Sequence, residues 1–231
     1  LKYMVKNAKF NLTPFQKVSL EIFGVSKLRD KFYWTGGTAL AFFYLRHRFS
    51  NDIDFFSDEE FNSQEILPIV ESISKKLRLK IIGERKIFDR REFLFKNGGK
   101  EMRLEFVHYK FGKLKPRQKW KNIFVDSLED MTANKTMALI DRHDSKDAFD
   151  IYFLLKNKKF TPKYLLKLVE KKFNVQFPIS LFWSEALTGA NQLKNIKPLL
   201  SGSNQMIENQ IKKIVSYFEK ESARFVKQVL S

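Results

Sequence analysis

The chain has 231 residues, enough to bury a substantial core in one large domain or two intimate ones. Hydrophobic residues make up 43% and aromatics 15%, which excludes global disorder, and the absence of cysteine excludes disulfides, thiolate metal ligands and cysteine nucleophiles. With 43 Lys and Arg against 26 Asp and Glu, the formal charge is +17, an excess that suits a polyanionic partner such as RNA or DNA; an acidic membrane or an acidic protein would satisfy the same electrostatics.

In chain order, the apolar spacing from Thr13 to Leu28 predicts a helix, with Thr13 as cap and Pro14 in its first turn. Phe32 to Thr35 reads as a short strand entering Gly36-Gly37, and Thr38 to Leu45 as a helix. Ile53 to Phe56 is apolar apart from Asp54, the pattern of a buried strand carrying a carboxylate. A helix follows from Ser63 to Leu77, with Pro68 inside it. Three strands are then predicted, from Leu79 to Ile87, Arg91 to Lys96 and Lys100 to Tyr109. Asn97-Gly98-Gly99 marks a hairpin between the last two.

After a basic linker from Phe111 to Lys121 the pattern becomes helical: Ser127 to Arg142, Ser145 to Lys156, Pro162 to Phe173 and Asn204 to Val229. The last carries Ile207, Ile211, Ile214, Val215, Phe218 and Phe225 largely along one stripe. The fold class expected is therefore α/β (α+β), a small mixed sheet flanked by helices and followed by a helical C-terminal region. The division is placed near residues 111–126, giving an α/β domain over residues 1–120 and a helical domain over residues 121–231. No apolar run is long enough to span a bilayer, and no signal pattern precedes the first helix, so a cytoplasmic location is expected. The chain begins at Leu1 rather than Met, which leaves an upstream segment open.

The chemistry concentrates in two places. Asp52 and Asp54 are two positions apart, so on an extended backbone both carboxylates face one side and can hold magnesium on a phosphate chain. Shortly before them, Gly36 and Gly37 allow backbone N–H groups to approach a triphosphate, with Thr38 capping the helix and donating through its hydroxyl. Such a turn lacks the lysine of a P-loop and the separated glycines of a dinucleotide fingerprint. Glu105, alternating with Arg103 and Val107, is the candidate third carboxylate; the competing interpretation is an edge-strand surface acid paired with Arg103. Farther on, Lys135 and Arg142 share a helix face, and Asp147 and Asp150 share the next. Lys135 could neutralise phosphate, Asp147 could orient it, and Asp150 could bind Arg142; surface salt bridges would look the same in sequence. His47, His108 and His143 are singletons, better suited to satisfied polar or surface roles than to zinc.

Together these signatures resemble the AbiEii-like nucleotidyltransferase family, toxin components of toxin–antitoxin or abortive-infection pairs. The matching stretches are Gly36-Gly37-Thr38-Ala39-Leu40, then His47-Arg48-Phe49-Ser50-Asn51-Asp52-Ile53-Asp54. Later come Lys135-Thr136-Met137-Ala138-Leu139, Arg142 and Asp147-Ala148-Phe149-Asp150. The resemblance implies a polymerase-β-like nucleotidyltransferase fold with a helical portion that completes the active site and aids acceptor binding. It implies Mg2+ on Asp52 and Asp54, with Glu105 the weakest carry-over, and an NTP contacted by Gly36, Gly37, Thr38, Ser50, Lys135 and Arg142. Lys135 and Asp147 correspond to the lysine and aspartate needed for activity. The implied reaction moves NMP from an NTP to RNA, most directly tRNA, with a cognate antitoxin as a further partner. Protein nucleotidylation, or a non-catalytic basic module that binds RNA or antitoxin, are the alternatives.

Overall fold

Residues 11–230 are described, in a computed structural model. They form two compact units: residues 11–46 and 50–128 make one, residues 47–49 and 129–230 the other. The chain thus leaves the first unit after Arg46, gives His47, Arg48 and Phe49 to the second, and returns at Ser50.

The first unit begins with α1 (Pro14–Val25). Its start is fixed by a capping box in which the Thr13 hydroxyl accepts from the Gln16 N–H and the Gln16 side chain accepts from the Thr13 N–H. β1 (Phe32–Thr35) runs into the short helix α2 (Gly36–Ala39), which continues as a π-helical stretch from Leu40 to Leu45. Then come β2 (Ile53–Ser57), α3 (Ser63–Leu77), β3 (Lys80–Ile87), β4 (Arg90–Asn97), β5 (Lys100–His108), β6 (Gln118–Trp120) and β7 (Ile123–Val125). The strands form one mixed sheet in the order β3-β4-β5-β2-β1-β7-β6. β2 is parallel to β5 and β1 to β7, while the remaining pairs are antiparallel. Gly98 and Gly99 close the β4–β5 hairpin at positive φ, between the paired Asn97 and Lys100.

Alternation separates the two faces of this sheet. Phe32, Trp34, Ile53, Phe55, Phe93, Phe95, Leu104 and Phe106 are buried on one face. There α1 stacks Phe23 on Phe55 at 3.9 Å and sets Phe15 against Phe95 at 5.4 Å, while Trp34 meets Phe42 and Phe43 of the π-helical stretch. The register assigns Tyr33, Thr35, Asp54, Phe56, Glu92 and Glu105 to the other face.

The expected mixed sheet flanked by helices is present, with a helical region after it. One expectation needs correction: the basic linker from Phe111 to Lys121 contains β6 and leads directly into β7, so the sheet extends to Val125. Strands of three residues are too short to show alternation, and the surrounding lysines hide their apolar positions.

The second unit consists chiefly of α4 (Leu128–Arg142), α5 (Ser145–Asn157), α6 (Pro162–Phe173), α7 (Ile179–Asn191), a 3-10 stretch from Leu193 to Leu199, and α8 (Asn204–Leu230). α5 and α7 cross so closely that a Cβ on Gly189 would lie 2.8 Å from that of Ala148. α8 buries Ile207, Ile211, Ile214 and Phe218 from its predicted stripe. Among the described residues no helix is long and apolar enough to cross a membrane.

Because Phe23 is fully buried and stacked on Phe55, Phe23→Ala is expected to remove about 3–5 kcal/mol of stability, measurable by urea unfolding.

Candidate active site

Gly36 follows the last residue of β1 and has φ +78°, a conformation that strains any residue with a Cβ. Space reinforces the requirement. A Cβ there would lie 2.6 Å from Asp54 Cγ and would overlap the carboxylate itself. The Asp54 carboxylate is therefore seated directly on the glycine turn, as the pairing of Thr35 with Asp54 demands. Asp52 precedes it by two residues, both are partly exposed, and the buried Ile53 between them points the other way. Thr38 lies inside the first turn of α2 rather than at its cap, and its hydroxyl donates to the Asp52 carbonyl. Thr35 is the N-cap residue; its hydroxyl donates to Asp126 instead of capping the helix. Ser50 presents its carbonyl to the Gln16 amide at 2.6 Å, and Gly37 is the second residue of α2.

Glu105 is beside Asp54 in register, and Glu92 beside Glu105, so three acids cross adjacent strands β2, β5 and β4 in one row. β5 is an interior strand, not an edge, and Glu105 is 5% exposed, so the surface part of the competing interpretation fails while its pairing with Arg103 is present. Arg103 ties the group together. Its guanidinium is 2.8 Å from Asp52, 3.3 Å from Glu92 and 3.8 Å from Glu105, while Arg90 approaches Glu105 at 3.4 Å. Burial pushes the Glu105 carboxyl above its usual range against the pull of Arg90 and Arg103. Burial also disfavours the charge on Arg103, but Asp52 and Glu105 outweigh it and hold the guanidinium firmly protonated.

The second unit holds its own ionic cluster. Asp147 and Asp150, one turn apart on α5, are wholly buried, and Lys135 of α4 lies between them at 2.8 and 2.9 Å. The other Asp147 oxygen accepts from Arg142 Nε at 2.8 Å. Asp150 takes the Arg48 fork at 2.7 and 2.8 Å and His47 Nε2 at 2.6 Å. The expected Asp150–Arg142 partnership is thus replaced by one with Arg48, and Arg142 goes to Asp147. Burial opposes ionisation of both aspartates, yet Lys135 and Arg142 hold Asp147 below the ordinary range. Arg48, Lys135 and His47 hold Asp150 well below it. His47 is lowered too, but by burial and despite Asp150, which leaves it neutral, and the ring donates from Nε2. Its Nδ1 is buried without a hydrogen-bond partner.

A profile of the family described as nucleotidyl transferase AbiEii toxin, type IV TA system, matches residues 19–211. The chain belongs to the AbiEii family. It is 33% identical over 155 residues to the uncharacterized protein aq_aa25 of Aquifex aeolicus strain VF5, covering 65% of this chain and 70% of that protein. JHP933 of Helicobacter pylori superposes with a TM-score of 0.55 at 14% identity, over 93% of both chains. A second Helicobacter pylori structure, solved as a proposed nucleotidyltransferase, gives 0.56 at 16% identity over 91% of this chain and 94% of that one. These likenesses show that the AbiEii chain shares its fold with both structures.

Within this AbiEii chain, the sheet unit brings together Gly36, Asp52, Asp54 and Glu105, and the helical unit brings together Lys135, Arg142 and Asp147. Sequence reasoning gave His47 only a satisfied polar or surface role and passed over Arg48; both lie about a hundred positions from their partner Asp150. Their place in the quoted signature was the only signal. The donor set at Asp52 and Asp54 is hard carboxylate oxygen, which fits magnesium held by one or two carboxylates and completed by water and phosphate oxygens. Among the described residues no group of three or more acids and histidines is arranged to hold an ion without such help.

Gly36→Ala is expected to cost about 1–3 kcal/mol from its φ alone, with the overlap on Asp54 added, as read by chemical denaturation. The pH dependence follows from the helical cluster. Asp147 and Asp150 have lowered folded pKa values, so their contribution is complete above the unfolded value of ~3.9 and is lost as pH falls below it. His47, also lowered, adds an earlier decline from pH ~6.5, because only the unfolded ring takes the proton there. Urea titrations across pH 3–7 are expected to show His47→Gln flattening the upper part of the slope but not the lower.

Proposed function

We propose that this chain transfers a nucleoside monophosphate from a nucleoside triphosphate to an RNA hydroxyl, with tRNA as the acceptor. It acts in the cytoplasm as a toxin restrained by a cognate antitoxin. The observation that carries this reading is the Asp54 carboxylate seated on the Gly36 turn, with Asp52 on the same face and Glu105 alongside. Family membership supports the reaction class, and the charge of +17 supports a polyanionic acceptor.

Gly36 and Gly37 offer backbone N–H groups to the triphosphate, and Thr38 steadies the Asp52 backbone rather than touching substrate. Ser50 stays a candidate contact through its hydroxyl, since its carbonyl is committed to Gln16. Asp52 and Asp54, with Glu105 beside them, would hold magnesium, which when bound supplies charge neutralisation on the phosphates and Lewis acidity at the α-phosphorus. Lys135 and Arg142 are assigned to substrate phosphate on the family pattern, with Asp147 fixing both cations. In the reaction the acceptor oxygen bonds to the α-phosphorus, the bridge to the β-phosphate breaks, the hydroxyl proton passes to the Glu105 carboxylate or to solvent water, and pyrophosphate leaves.

Incubation with each α-labelled NTP, Mg2+ and total RNA is expected to label RNA. Asp52→Asn should reduce that labelling on the order of 100-fold or more while the protein keeps its circular dichroism spectrum. Labelling that survives the substitution would reject the site; label on protein in place of RNA would reassign the acceptor.

A further inference from the structure

Between β5 and the end of the β6–β7 turn, the segment from Lys110 to Lys121 holds Lys110, Lys113, Lys115, Arg117, Lys119 and Lys121 and no acid. Lys110 and Arg117 are held by acids, while Lys119 and Lys121 lie over the Phe124 and Trp120 rings at 5.9 and 4.9 Å. Lys110 pairs with Asp89 at 3.1 Å. Arg117 forks onto Asp58 at 2.7 and 2.6 Å, and its guanidinium carbon lies over the Tyr33 ring, 3.4 Å from the centroid. Arg117 therefore pins the segment to the sheet, leaving Lys113, Lys119 and Lys121 exposed.

The register says which face receives that charge. Lys119 pairs with Phe124, Phe124 with Tyr33, and Tyr33 with Phe56, two residues beyond Asp54 on β2. Paired residues project to one side of a sheet, so Lys119, Tyr33 and Asp54 share a face. Three strand spacings separate β6 from β2, on the order of 14 Å. Lys119 lies over the Phe124 ring on the carboxylates' own face, while Lys121 lies over Trp120, whose ring packs with Trp34 of the opposite face, so the pinned segment carries its charge along the β6 edge of the sheet that bears the carboxylates.

We propose that this segment is a rail for the phosphate backbone of the RNA acceptor, gripping it through Lys119 on the carboxylate face, with Lys113 and Lys121 along the sheet edge, as its 3′ end reaches Asp52 and Asp54. The inference rests on the RNA-acceptor reading above and adds where the acceptor lies. Arg117 is a positioning residue here, holding the segment in place rather than touching RNA.

The test uses the full chain and a fluorescein-labelled RNA hairpin with a single-stranded 3′ tail. In the rail variant Lys113, Lys119 and Lys121 are changed together to Gln. In a control of equal charge, Lys163, Lys167 and Lys171, exposed on α6, are changed to Gln. The rail variant is expected to bind RNA about 10-fold more weakly and to lower the slope of log K against log salt by about two to three, at ~0.7–0.9 per phosphate contact. The control should retain the parental slope, and a fluorescent NTP should bind all three proteins alike. Equal losses in both variants, no loss in either, or a parent that does not bind the hairpin would overturn the rail. So would loss of polyglutamate binding in the rail variant with RNA binding intact, which would give the surface to an acidic protein. A parent that binds RNA through these lysines yet transfers no nucleotide would support the rail and sink the transfer reading. Transfer with an unchanged KM for RNA in the rail variant would do the reverse.

Discussion

The closeness of β2 to the glycine turn is the constraint on which the acidic end of the sheet depends. β1 and β2 pair so that Thr35 faces Asp54, and the chain must turn immediately after Thr35 to enter α2. Only a residue without a Cβ can make that turn at φ +78° and leave room for a carboxylate on top of it. A second tie, from the Thr38 hydroxyl to the Asp52 carbonyl, fixes the other aspartate to the same short helix. Each acid is thus held against α2, one through its side chain and one through its backbone. Two separate restraints define the spacing of the pair better than strand geometry alone would.

The ionic cluster of the helical unit obeys a different logic. Two buried carboxylates meet Lys135, Arg48 and Arg142, so the charged groups already carry a net excess of one positive charge before His47 is considered. A protonated His47 would add a fourth cation at a buried position, and burial keeps the ring neutral. Replacing such a buried network wholesale with apolar residues is often neutral or stabilising, while removing one partner costs about 3–5 kcal/mol. Net stability therefore gives little reason to keep it. What it does supply is position: the two Asp147 oxygens meet different cations, and Asp150 orients Arg48, His47 and Lys135 at once.

How much of this was legible in sequence depends on range. The bounds of α3 and of β1, and the Gly98-Gly99 turn, follow from local signals: capping residues, alternation and paired glycines. The Asp52–Asp54 face and the alternation of Arg103 with Glu105 were readable because a strand's period is two. β6 and β7 were lost because three residues cannot display a period, and α7 because its run around Phe182 and Trp183 carries few polar positions to mark a face. The choice of Arg48 over Arg142 as the partner of Asp150 was beyond any local rule. Arg142 is near Asp150 in sequence, but the three-residue excursion at His47 brings a nearer guanidinium, and no spacing rule predicts an excursion.

The sign of the charge at the sheet face bears on the proposed metal. This is a protein of formal charge +17, suited to attracting phosphate, yet it gathers Asp52, Asp54, Glu92 and Glu105 on one face. Arg85, Arg90 and Arg103 offset three of them, leaving one net negative charge where a triphosphate would have to approach. Arginine alone does not resolve the conflict, because each guanidinium is already paired with an acid. One divalent cation on Asp52 and Asp54 would change the balance from one negative to one positive charge. The same acids that repel phosphate in isolation would then recruit it, with the ion shared between carboxylate and substrate oxygens. An acidic row inside a basic protein is costly as structure, and the proposed metal would give that cost a function.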